Sequence, residues 1–228
     1  MEAPQHELDP PKRSASDVGH AAVKALVAGL PVIGGPLSEV FSLVFQPPIE
    51  RRRDAWMEEV ADVLRRLLAE GFTIEQLQKN EQFITAVLHA TQVAIRTHHA
   101  EKLEALKNAM TNIAKGHGPD ETWQQIYFGF IDSFTELHLR VLKWARSRYV
   151  PDDVERGVPL ELLQDAIPTL RGNRELADTI WEDLGRRGLV QPEQLSGLAS
   201  PSKNRIALTQ KFTTNMGDAL LRFVEDAA

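Results

Sequence analysis

Residues 21–45 read AAVKALVAGLPVIGGPLSEVFSLVF, with only Lys24 and Glu39 charged. Every other long segment of the chain is amphipathic, so the fold turns on where this stretch is buried. Pro31, Gly34, Gly35 and Pro36 divide it, because proline lacks an amide donor and glycine is entropically costly in a helix. Each half is then a helix of roughly 10–14 residues, or ~15–20 Å, against a hydrocarbon core of ~30 Å. Neither half spans a bilayer alone. Two placements remain: a core helix pair wrapped by the later helices, or a segment that leaves the fold and inserts shallowly into lipid. Apolar runs of this length are more often core, so the expected fold is mainly α. It is a helical bundle around an apolar N-terminal pair, followed by a small winged-helix-like module with a two-stranded wing. The side chains expected to meet a membrane or partner are Leu26, Val27, Leu30, Val32, Ile33, Val40 and Phe41.

With 228 residues, the chain suits one domain or two small ones. An apolar fraction of 43% and a charged fraction of 25% are ordinary for a globular protein. A net charge of −6 argues against a chain built around phosphate contacts. The absence of cysteine excludes disulfides, thiolate metal sites and a cysteine nucleophile, and fits the cytoplasm. Residues 1–16 carry Pro4, Pro10, Pro11 and mixed charge, which reads as a disordered tail rather than a signal peptide.

The expected domains are the tail, a bundle over 17–149 and a module over 150–228. Asp17 can cap a helix over 18–30, and a second helix over 37–45 should end at Gln46-Pro47-Pro48, since the residue before proline avoids helical dihedrals. An amphipathic helix over 49–70 carries Ile49, Trp56, Val60, Val63, Leu64 and Leu67 on one stripe. Arg51, Arg52 and Arg53 read as a charged helix start, because lipid-binding clusters usually hold about four to eight cations. Gly71 should break that helix, and Thr73 cap a short one over 74–79. A long helix over 81–115 places Ile84, Leu88, Thr91, Ile95, His99, Leu103, Leu106, Met110 and Ile113 on one face. Gly116-His117-Gly118 closes it and Pro119 opens a helix over 120–148. That helix is apolar over a wide arc and is the natural partner for residues 21–45.

The rest reads as helix (159–167), a Pro168 break, helix (173–187), a Gly188 stop, strands at 189–190 and 206–209, and a final helix over 214–226. Helix, helix, wing, helix is a winged-helix order. The candidate recognition helix and wing offer Arg171, Arg174, Arg186, Arg187, Lys203 and Arg205 to nucleic acid. From Pro151 onward, however, nine Lys/Arg face thirteen Asp/Glu, and acid on a groove-entering helix repels phosphate. The charge favours protein contact for this module, with Trp181 and Ile180 packing inward.

Catalytic patterns are missing from the sequence: it has no HExxH, EF-hand loop, GxSxG, GxGxxG or P-loop. On a continuous helix, adjacent His98 and His99 would point about 100° apart and could not share a metal. His98 with Glu101 has ligand-compatible spacing but reads as exposed. His138 reads as a buried, hydrogen-bonded histidine, and the Asp132/Glu136 pair with Arg140 as surface electrostatics.

Residues 83–144 resemble the central helices of bacterial abortive-infection alpha proteins, with Asn108 to Ile113 and Phe134 to Leu142 at the matching positions. Leu208-Thr209, Gly217, Leu220, Leu221 and Phe223 look like that group's ending, more widely spaced. The resemblance implies a bacterial cytoplasmic protein with a part in phage defence, and carries no reactive residue across. Three functional readings are ordered accordingly. The first is a non-enzymatic defence effector or scaffold that contacts a protein partner or itself, and perturbs the inner membrane through residues 21–45 when activated. The second is a DNA-associated regulator using the six basic residues named above. The third is an enzyme around His98, Glu101 or His138. No cofactor, metal or small-molecule substrate is identified.

Overall fold

The computed structural model describes residues 36–147, 159–191 and 211–226. The described residues are mainly α-helical. The helices are α1 (Pro36–Ala69), α2 (Ile74–Lys79), α3 (Glu81–Arg96), α4 (Ala100–Ala114), α5 (Glu121–Ser133), α6 (Glu136–Arg146), α7 (Pro159–Ala166), α8 (Arg174–Arg186) and α9 (Asn215–Val224), with a 3-10 turn at Pro168–Leu170. The chain forms two compact units, Met1–Gly116 and His117–Ala228. The boundary expected near Val150 lies outside the described residues, as do the expected helix over 18–30 and the turn after it.

In the first unit, α1 buries Trp56, Val60, Val63 and Leu67, four of the six positions read from its stripe. Hydrophobic spacing at three and four residues dictates that face. The helix does not stop at Gln46-Pro47-Pro48, however; it runs unbroken from Pro36 to Ala69. Two prolines inside a helix normally cost ~3 kcal/mol or more each. Here they fall where α1 is exposed, with Val44 55% accessible. Carbonyl groups that lose their donors can therefore be hydrated. Gln46 Nε2 also donates to Glu50 Oε1 at 2.9 Å, bridging the proline pair along the helix surface.

The long helix expected over 81–115 is a helical hairpin. Thr97 (φ −110°, ψ 155°) and His99 (φ −83°, ψ 117°) are extended, and α3 ends at Arg96. Thr97 Oγ1 accepts the His99 amide at 3.3 Å, which stabilises the bend locally. The face that α3 buries also differs from the expected one. Phe83, Ala86, Ala90, Val93 and Ala94 are buried, whereas Ile84 and Leu88 are 37% and 61% exposed. The alanines let α3 and α4 approach closely, with Ala105 and Ala109 buried on α4. Small-residue contact thus sets this interface, and the larger aliphatics are left on the flank. Trp56 Nε1 donates to Thr91 Oγ1 at 2.9 Å, which fixes α3 against α1. Lys107 fixes α4, meeting Glu59 at 2.7 Å and Glu104 at 2.8 Å. Burial works to lower the Lys107 pKa, but hydrogen bonds and charge from the two glutamates outweigh it and hold the ammonium above its ordinary value.

In the second unit, the helix expected over 120–148 is broken between Ser133 and Glu136. Phe134 (φ −73°, ψ 146°) and Thr135 (φ −83°, ψ 166°) are extended. Ser133 Oγ bonds back to the carbonyls of Gly129 and Phe130, while His138 Nδ1 accepts the Thr135 amide at 3.2 Å. Local polar side chains thus supply both the stop and the restart. Asp132 and Glu136 accordingly lie on different helices, and Glu136 pairs with Arg140 instead. Trp144, Trp181 and Phe212 meet edge to face, with centroids 5.6–6.5 Å apart. Trp181 and Ile180 are buried, as expected.

Gly188 (φ 71°) ends α8, with Gly188 N donating to Gly185 O and Leu189 N to Leu184 O. The paired bonds and left-handed glycine form a Schellman stop. The chain then makes one isolated antiparallel bridge, Val190 to Thr213. Gln191 N donates to Phe212 O at 2.9 Å, and Phe212 N to Ala145 O at 2.7 Å. A two-stranded wing is not seen among the described residues: its expected second strand at 206–209 and its tip lie outside them. The expected final helix is present as α9, and Arg146 and Glu225 join α6 to the end of α9 through two bonds of 2.6 and 2.7 Å.

Candidate partner-contact surfaces

Of the expected contact residues, Leu26, Val27, Leu30, Val32 and Ile33 lie outside the described residues. Val40 and Phe41 fall in the first turns of α1. The same apolar run ends at Val44 and Phe45, which are 55% and 48% exposed. Register explains that exposure. Thr91 on α3 sits opposite Trp56, and on α4 Lys107 and Lys115 sit opposite Glu59 and Glu70. Counting back along the helices, both the end of α3 and the start of α4 fall level with α1 near residues 51–53. The part of α1 before that point extends roughly 20 Å beyond the described ends of α3 and α4, at 1.5 Å per residue. Trp56 is the first buried residue after Val44 on this helix. Arg51 and Arg52, at the base of the arm, are exposed; Arg53 pairs with Asp54 at 3.1 Å. Among the described residues no helix is long and apolar enough to cross a membrane.

A second apolar surface lies on α3. Ile84, Leu88, Thr91 and Ile95 recur at helical spacing; Ile84 and Leu88 are exposed, Thr91 and Ile95 half-buried. The sequence reading placed this stripe on the apolar face of one long helix. The signal that could have corrected it is the alanine series Ala86, Ala90, Ala94, which competes for the same helix.

Of the four described basic residues offered to nucleic acid, three meet carboxylates. Arg171 meets Asp165 at 3.2 Å, Arg174 meets Asp178 at 3.4 Å, and Arg187 meets Asp183 at 3.1 Å. Arg186 is exposed and its Nε donates to Glu182 O at 3.4 Å. Lys203 and Arg205 lie outside the described residues. The solvent side of α8 therefore interleaves both signs rather than presenting a cationic stripe.

Arg187 belongs to a cluster the sequence reading did not assemble. Its guanidinium lies 5.3 Å from the Phe130 centroid and 5.0 Å from that of Phe134. His138 stacks on Phe134 at 5.0 Å with a 5° interplanar angle. Its Nδ1 lies 2.8 Å from Thr135 Oγ1, and its Nε2 faces Asp183 Oδ2 at 3.5 Å. This hydroxyl–imidazole–carboxylate line uses its acceptor nitrogen to restart α6, and Asp183 is already held by Arg187. Its chemistry is that of a clasp between α6 and α8. The repeated i, i+3 and i, i+4 aromatics Trp123, Tyr127, Phe130, Phe134 and His138 were its sequence signature.

His98 and His99 lie in the α3–α4 bend, with ring centroids 4.2 Å apart. No group of three or more side chains able to hold a metal ion occurs among the described residues. No protein-family model, curated protein or solved structure matches the chain.

Proposed function

We propose that this chain is a non-enzymatic helical effector or scaffold that works by contact through its apolar N-terminal run. The observation that carries this reading is the start of α1, which extends beyond the described ends of α3 and α4 with Val44 and Phe45 about half exposed. On the resemblance of residues 83–144 to abortive-infection alpha proteins, the setting is bacterial defence, with membrane perturbation as the activated step. The arm is too short to span a bilayer, so its membrane mode is shallow insertion. Vesicle leakage and flotation test this. Wild-type protein is expected to release dye, and Val44→Asp/Phe45→Asp to release far less while keeping its far-UV circular dichroism. Equal leakage from both proteins, or none from the wild type, overturns the membrane part.

The second reading, a DNA-associated regulator, draws on the order α6, α7, α8, bridge, α9. That order supports a winged-helix-like module whose wing would spring from Val190 and Thr213. The interleaved charge on α8 favours protein contact for that module. Salt-dependent duplex binding abolished by Arg186→Glu would favour DNA instead.

A further inference from the structure

We draw no further inference here: the strongest candidate, the apolar surface patch that Ile84 and Leu88 form on α3, carries nothing because nothing in the structure shows what covers it.

Discussion

Among the described glycines, Gly217 leaves the least room for a side chain. A Cβ built there would run into the carbonyl oxygen of Leu189. That carbonyl accepts the Thr214 amide at 3.0 Å, so it cannot swing away without breaking the start of α9. Gly217→Ala is therefore expected to destabilise the protein by about 1–3 kcal/mol in urea unfolding, as overpacking does. Gly129 is the control. It lies inside α5 with nothing within 4 Å of its Cβ direction, so Gly129→Ala is expected to stabilise by about 0.5–1 kcal/mol. The next residue, Asp218, gives a pH signature. Burial pushes its carboxyl pKa up, but hydrogen bonds from Lys211 (2.6 Å) and Thr213 (2.5 Å), with the Lys211 and Arg222 charges, outweigh this and hold it below its ordinary value. A lowered carboxyl pKa stabilises above the unfolded-state value and is lost as pH falls through the folded one. Asp218→Asn is expected to cost about 1–2 kcal/mol near pH 7. That difference should shrink in acid below the ordinary carboxylate range, read by thermal unfolding across pH. At this scale the caps were the most legible feature. Thr73 was read correctly because an oxygen side chain before an apolar run marks a helix start; its Oγ1 accepts the Gln76 amide. Gly217 was visible only as part of a resemblance, since close backbone approach leaves no mark on the residues that approach.

At the level of elements, hydrophobic period located the helices and the face of α1, but not the face of α3 or the breaks after Arg96 and Ser133. The α1 stripe was readable because Trp56, Val60, Val63 and Leu67 are all large. On α3 the large residues misled. Two stripes coexist, and the winner is the one whose alanines allow α3 and α4 to come close. If close approach is what decides, enlarging it should be costly. Ala90→Leu, at a site with no solvent exposure, is expected to destabilise by about 1–3 kcal/mol in chemical denaturation. A change within about 0.5 kcal/mol would mean the interface has slack and that the stripe choice has another cause. The breaks at Thr97–His99 and Phe134–Thr135 carry no proline or glycine, so punctuation could not reveal them. They depend on Thr, Ser and His side chains bonding to nearby backbone, interactions that helix propensity alone ranks as weak. The prolines at 47 and 48 erred the other way. A strong breaker was overridden where the helix faces water.

For the molecule as a whole, composition allowed one domain or two small ones and did not locate a division. The first unit contains Trp56 alone of the four tryptophans; Trp123, Trp144 and Trp181 belong to the second. Each unit has its own source of cohesion. In the first it is the α1–α3–α4 packing pinned by Trp56 to Thr91. In the second it is the aromatic triangle of Trp144, Trp181 and Phe212, with Phe223 of α9 meeting Tyr127 and Phe128 at 5.5 and 5.6 Å. The contacts named for each unit join residues of that unit, as independent folding requires. The fragment His117–Ala228 is therefore expected to unfold cooperatively on its own, and to keep the near-ultraviolet circular dichroism of its stacked aromatics. Fragment Met1–Gly116 should keep a Trp56 emission that red-shifts only on denaturation. If the C-terminal fragment instead shows helical far-ultraviolet signal with no near-ultraviolet bands, its core is not self-sufficient and the division at Gly116 is only topological.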